Sequence, residues 1–353
     1  MAIWQQAVGD VEYNRADICL KYGVILCGND VPAPWCDHNV VFSKRGLGAG
    51  PRISNLTRFN LRMRENDLVV LQISPANVSA VGRIAGPCQW HDEFADLDGW
   101  HVPYIRRVNW LWQASSELTW YPGPGTRPLA DDLAVSALLS AVMSAPETDS
   151  PRNSDLPTVS TDVSRNDIED LTAGRGFISP MLLPLFDGAR DNAYRLPCMS
   201  APEIRTELVE PLLCVLGWEP GDTAIEWHKQ DGTPLPGMAL QEDDLAQWER
   251  SPNPSSIRLI VSIESGDLCN TRSVRRIADV VKYPNCRQVI LTDGIRYAIH
   301  DRGANGRFQL HAYLNLVRPR REYPLYQCKG AADALLSMSA GQVRKIPSSV
   351  DQQ

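Results

Sequence analysis

Short apolar runs, each closed by glycine or a polar turn, fill the first third of the chain. Gly23-Val24-Ile25-Leu26-Cys27-Gly28 is one such run, and Asp67-Leu68-Val69-Val70-Leu71-Gln72 is another. Val78 to Ile84 alternates apolar residues with small or polar ones, the period of a half-exposed strand. Arg107-Val108-Asn109-Trp110-Leu111-Trp112 closes the set. Between Thr57 and Arg64, Phe59, Leu61 and Met63 stand among arginines and predict a short helix. Strands at this spacing with glycine turns predict a small closed β-barrel over residues 1–112.

The pattern changes twice more. From 113 to 199, Pro122, Pro124, Pro128, Pro146, Pro151 and Pro157 cluster among Ser, Thr and acidic residues. That composition predicts an acidic linker, with one short helix where Leu129 to Met143 keeps helical spacing. From Ser200 a helical period appears: a serine cap, Pro202 in the first turn, then Glu203 at the positive end of the dipole. Ile204, Leu208, Leu212, Val215 and Leu216 form one stripe, and Gly217 ends it. A strand over Ile257–Ile263, an amphipathic helix over Ser273–Tyr283 and strands Gln288–Thr292 and Arg296–His300 follow. The last two are joined through the turn signal Asp293-Gly294. Ala331–Met338 predicts a terminal helix, with 341–353 as a tail. The whole is an α+β multidomain chain whose last domain, 200–340, is an α/β core with helices against a sheet.

A length of 353 residues suits two domains, and 43% hydrophobic with 22% charged residues is a globular composition. The net charge of −7 argues against wholesale coating of a polyanion, so any nucleic-acid site must be a local basic patch. Nine cysteines without a C-x-x-C pair fit a reducing compartment, and the spacing of Cys27, Cys36 and His38 does not match a zinc finger. The opening residues lack the features of a signal peptide and no apolar run reaches ~20 residues. The expectation is a soluble, cytoplasmic protein without a membrane partner.

Two resemblances carry the functional expectation. Asn66-Asp67-Leu68-Val69-Val70-Leu71, Ala80-Val81-Gly82-Arg83-Ile84-Ala85-Gly86, Phe94 to Trp100, and Arg106-Arg107-Val108-Asn109-Trp110 together resemble PUA-like barrels of the EVE type. Relatives place a glycine where Asn66 stands, and asparagine tolerates the same left-handed turn. The resemblance implies recognition of a base flipped from the helix, often a modified one. Flipping costs a few kcal/mol, and stacking on an aromatic ring returns ~1–3 kcal/mol per base. Trp4, Trp35, Trp90, Phe94 and Trp100 are the candidate rings, with Asp98 as reader of a base edge. Trp110 is expected in the core.

The second resemblance runs from Glu203-Ile204-Arg205-Thr206-Glu207-Leu208, through Leu216-Gly217-Trp218, to Leu291-Thr292-Asp293-Gly294-Ile295-Arg296-Tyr297. It is to the N-terminal nuclease domain of type I restriction enzyme R subunits, a PD-(D/E)xK fold. Ser256 to Gly266 resembles the strand that ends in Glu-x-Lys, but Gly266 replaces the lysine after Glu264. Pro236-Gly237-Met238-Ala239-Leu240 resembles the preceding strand, with Gly237 where the family carries a metal-binding aspartate. One carboxylate does not hold magnesium against its hydration shell, and losing one preorganised stabiliser alone costs roughly 10²–10³ in rate. The resemblance therefore implies a pseudo-nuclease without cofactor. Asp243, Asp244 and Lys282 are the groups that a rearranged magnesium site would recruit.

Phosphate contacts are expected from Lys44, Arg45, Arg52, Arg58, Arg62 and Arg64, a stretch with no acidic residue between Asp37 and Glu65. Arg272, Arg275 and Arg276 flank the degenerate nuclease strand. Arg106 and Arg107 lie on opposite faces of a strand, so at most one meets a ligand. The leading expectation is a reader of flipped or modified bases that holds DNA in a bacterial defence system, alone or beside a partner subunit. An active modification-dependent endonuclease and a protein-interaction adaptor are the alternatives.

Overall fold

A computed structural model describes residues 1–8, 15–28, 55–73, 77–97, 101–119, 125–129, 135–137, 139–140, 155–164, 166–167, 179–219, 223–224, 227–228, 234–235, 237–241, 257–264, 268–269 and 286–343. The chain contains both helices and sheets and divides into two units, Met1–Val159 and Ser160–Gln353.

The first unit is built from β1 (Ile3–Ala7), α1 (Ala16–Tyr22), β2 (Val24–Cys27), β3 (Leu68–Ile73), β4 (Asn77–Trp90), β5 (Tyr104–Thr119) and β6 (Arg127–Pro128). They form one sheet in the order β2-β5-β4-β3-β1-β6, antiparallel except for the pair β1–β3. Register shifts between Val78 and Ala80, Val81 and Gly82, and Ile84 and Cys88 break the long β4–β5 ladder. Each shift raises local twist, and the sheet curls into a half-barrel. Trp110 is buried, as its strand pattern predicts, and its indole N–H donates to Cys19 O of α1. The helical turns at 55–62 bury Leu56 and Phe59.

Side chains join the edges that the curl brings together. Buried Gln6 donates to Leu26 O of edge strand β2 at 2.9 Å and accepts the Thr126 hydroxyl, beside edge strand β6, at 2.8 Å. Asn66 takes the left-handed turn expected of it, with φ 69°. Asp67 then accepts the Ala2 N–H at 2.7 Å, the Trp4 indole N–H at 3.0 Å and the Arg64 N–H at 3.0 Å. Burial pushes this carboxyl up, but the donated hydrogen bonds outweigh it and hold its pKa below the ordinary range.

The second unit contains α2 (Ser179–Arg195) and a continuous helix over 201–215, α3, made of Ala201–Ile204, a π turn Arg205–Val209 and Glu210–Val215. Strands β7 (Thr223–Ala224), β8 (Trp227–His228), β9 (Pro234–Leu235), β10 (Gly237–Gln241), β11 (Ile257–Ile263), β12 (Gln288–Thr292), β13 (Arg296–Arg302), β14 (Phe308–Asn315), β15 (Glu322–Tyr323) and β16 (Cys328–Lys329) follow, then α4 (Ala331–Met338). The main sheet runs β15-β16-β14-β13-β12-β11-β10-β7. Strand β11 lies antiparallel to β10 and parallel to β12. The α3 stripe Ile204, Leu208, Leu212, Val215 and Leu216 packs in one core with Val261, Ile263, Ile290 and Ile299 from the sheet. Ile260, Val289, Leu291 and Tyr313 form a core on the other face.

The most distinctive sequence pieces of this unit are joints. Gly217 (φ 87°) ends α3, and Trp218 donates its indole N–H to Met338 O at 2.7 Å, tying α3 to the end of α4. Asp293 accepts the Ile295 and Arg296 N–H groups across the β12–β13 turn. At Gly294 (φ 93°) a Cβ would lie 2.8 Å from side-chain atoms of Ile204 and Leu208.

The expected linker over 113–199 is divided between the units. Strand β5 continues to Thr119, paired with Asn77, and β6 pairs with β1, so barrel structure extends past 112. Val163, Leu182 and Ala189 belong to the core of the second unit. Polar residues such as Ser115, Ser116 and Glu117 concealed the strand, because its partner rather than its own pattern sets it. Of the expected tail 341–353, residues up to Val343 are helical. The Ser273–Tyr283 helix lies outside the described residues.

Candidate nucleic-acid interface

One rim of the half-barrel gathers aromatic and basic side chains. Trp90, the last residue of β4, pairs across the ladder with Tyr104, the first of β5. Its ring meets Tyr104 edge-to-face at 5.2 Å and His101 at 5.7 Å. Trp90 is half-buried and His101 exposed. His101 also hydrogen-bonds through Nδ1 to Ala95 O at 3.0 Å, which orients its ring. The end of β2 reaches the same place: a Cβ on Gly28 would stand 2.3 Å from His101 O, so only glycine permits that approach. Trp35, Asp98 and Trp100 lie outside the described residues.

The other two ring candidates are structural. Trp4 is 4% exposed and spends its N–H on Asp67. Phe94 is 0% exposed and packs edge-on against Tyr22 and His91. Neither offers a face to a base in this conformation. A spacing argument could not separate them from Trp90, because all three occur next to polar residues in sequence.

Beside the rim, Arg106 organises a basic turn. Its guanidinium donates to the carbonyls of Phe59 (2.7 Å), Gly86 (2.9 Å) and Asn60 (2.8 Å) and lies 5.8 Å from the Phe59 ring. Arg106 stands two residues after Tyr104 on β5, hence on the same sheet face. The 58–62 turn is thereby fixed on the side of the sheet that Trp90 and Tyr104 share. Arg62 and Arg64 are exposed, and Arg58 is half-buried with one donor on Thr126 O at 3.2 Å. Arg83 of β4 lies nearby, donating to Asn66 O at 3.4 Å. Exposed Glu65 and buried Asp67 are acidic residues interposed among them. Arg106 is buried and serves the fold, and half-buried Arg107 donates to Tyr22 O at 2.8 Å. Lys44, Arg45 and Arg52 lie outside the described residues.

In the second unit, Gly237 of β10 pairs with Ser262 of β11, and Gly266 lies outside the described residues. Glu264 follows directly after β11. Its N–H donates to Thr292 O at 2.8 Å, and its carboxylate accepts the Ser262 hydroxyl at 3.1 Å. Among the described residues no group of three or more His, Cys, Asp or Glu side chains converges as a metal site. Asp243, Asp244, Lys282, Arg272, Arg275 and Arg276 lie outside the described residues. Burial pushes the Cys27 and Cys286 thiols up to about 12, so neither is a nucleophile at neutral pH.

A family model described as a domain of unknown function (DUF8426) matches residues 9–122. The match spans α1 to the end of β5 and leaves out β1 and β6. No curated protein and no solved structure matches the chain. Among the described residues no helix is long and apolar enough to cross a membrane.

Proposed function

We propose that the chain is a nucleic-acid reader: a PUA-like, EVE-type barrel that stacks a flipped or modified base, joined to a restriction-endonuclease-like domain that holds DNA without cutting it. A bacterial defence system, with or without a partner subunit, is the natural setting for such a pair. The observation that carries the reading is the rim of the half-barrel, where half-exposed Trp90 stands beside an arginine-bearing turn clamped by Arg106. A ring for the base and guanidinium groups for the phosphates are the two components such recognition needs. The pseudo-nuclease assignment draws support from strand order. Strands β7, β10 and β11 run antiparallel, β12 is parallel to β11, and α3 packs on the sheet, with glycine at the aspartate position.

The test compares binding of the full chain to duplexes carrying plain, methylated, hydroxymethylated and glucosylated cytosine. One modification should be preferred, and Trp90→Ala should weaken that complex by roughly 5–150-fold, the equivalent of ~1–3 kcal/mol of stacking. Equal affinity of Trp90→Ala and the parent would sink the base-reading assignment. Magnesium-dependent cleavage that disappears with Glu264→Ala would overturn the pseudo-nuclease half.

A further inference from the structure

We propose that Arg318 and Arg321 form a second phosphate-binding site, closed in this structure by residues 160–164 and Asp167 acting as an internal substitute for a nucleic-acid backbone. This rests on the nucleic-acid reading but uses a different unit of the protein. Residues 160–164 begin where the chain passes into the second unit. They lie against 318–322 as a short antiparallel strap, with a bridge between Asp162 and Arg320. Val163 N–H donates to Pro319 O at 2.8 Å, Arg321 N–H to Thr161 O at 3.0 Å and Glu322 N–H to the Ser160 hydroxyl at 3.1 Å.

The charges on the two sides are complementary. Arg318 Nε lies 3.1 and 3.2 Å from the two oxygens of Asp162, and Arg321 donates to Asp167 at 2.8 Å. Arg320 is 1% exposed and belongs to the fold, whereas Arg318 and Arg321 retain 35% and 60% exposure. Over 155–170 the sequence carries Asp155, Asp162, Asp167, Glu169 and Asp170 against Arg165 alone. Carboxylates on exposed arginines are weak, salt-screened partners. Phosphodiester oxygens bind guanidinium in the same forked geometry and arrive as a continuous row of charge. A duplex seated on the second unit would therefore compete with Asp162 and Asp167 for Arg318 and Arg321, although Asp162 also lies 3.8 Å from the buried Arg320 Nε. Val163 is the buried apolar anchor that keeps the strap in place otherwise.

Amide hydrogen exchange on the full chain tests this, with the Val163 and Arg321 N–H groups as reporters and the Ala334 N–H of α4 as control. A saturating plain DNA duplex at low salt should speed exchange at both reporters by about 10-fold or more and leave Ala334 unchanged, as competition for surface charge requires. Asp162→Asn with Asp167→Asn should tighten duplex binding about 3–10-fold, and adding Arg318→Gln with Arg321→Gln should abolish the gain. Reporters that stay protected at saturating duplex, or unchanged affinity of the doubly neutralised variant, would overturn the proposal. Binding that needs Arg318 and Arg321 but survives Trp90→Ala would keep the strap and remove the barrel reading. Binding that needs Trp90 while the reporters stay protected would remove the strap alone.

Discussion

Arg106 and Phe59 are joined twice: the guanidinium donates to the Phe59 carbonyl at 2.7 Å and sits over the Phe59 ring. The pairing fixes a turn whose exposed side carries Arg62 and Leu61, the latter 54% exposed, to β5, whose first residue Tyr104 pairs with Trp90 of β4. A buried charge thus acts as the mount for exposed ones. Its own positive charge is compensated by carbonyl dipoles and is not presented to a ligand.

Arg106→Lys should expose that dependence. Lysine keeps the charge but cannot span three carbonyls as the guanidinium fork does, leaving buried acceptors without donors. A loss on the order of 2–4 kcal/mol is expected in denaturant unfolding of the first unit. Nucleic-acid affinity should fall with it, although Arg58 and Arg62 are untouched.

Asp67→Asn should be worse than its size suggests. Three N–H groups converge on the Asp67 carboxylate, and an amide would turn one of its own N–H groups toward them. About 2–3 kcal/mol should be lost by chemical denaturation. Because the folded carboxyl has a lowered pKa, the stability it supplies is complete above the ordinary carboxylate range and is lost as pH falls through the folded value. The variant should lack that part of the acid transition.

His300 predicts a second pH dependence. It is 1% exposed, and burial drives its pKa from 6.5 down to about 4, with backbone contacts to Ala298 and Val289 offsetting only part of the fall. As pH drops below 6.5 the unfolded chain gains the proton first. Stability is therefore intact above that value and declines toward pH 4, by on the order of 3 kcal/mol. His300→Leu should flatten the stability curve of the second unit in this window.

Arg58→Gln together with Arg62→Gln should act through salt. If each arginine neutralises one phosphate, the slope of log affinity against log salt should shrink by roughly 0.9 per residue. The preference among modified cytosines should persist, since these groups position the backbone and do not read the base. Equal slopes in variant and parent would assign the arginines to an unpartnered surface.

Much of the local structure was legible because local chemistry determines it. Ser200 and Glu203 announce a helix start, and the Ser200 N–H and hydroxyl both bond the Glu203 carboxylate, at 2.7 and 2.6 Å. Asn66 occupies the left-handed turn that its side chain tolerates. Gly217 and Gly294 have the positive φ that a helix end and a tight turn require. The stripe of α3 was readable because burial on one face leaves a period in the sequence.

What the chain's order alone determined about this protein, then, is its punctuation and its apolar faces: strands, helix ends and turns. Only the tertiary structure decided which polar groups are free to act. It buried Trp4 and Phe94, left Trp90 at the rim, turned Arg106 inward to hold Phe59, and covered Arg318 and Arg321 with Asp162 and Asp167. It also drew β5 and the 155–164 segment out of an apparent linker. The reason is that a side chain's type fixes what it is able to bond, whereas its partner lies far away in sequence, 47 residues for Arg106 and Phe59 and 156 for Arg318 and Asp162.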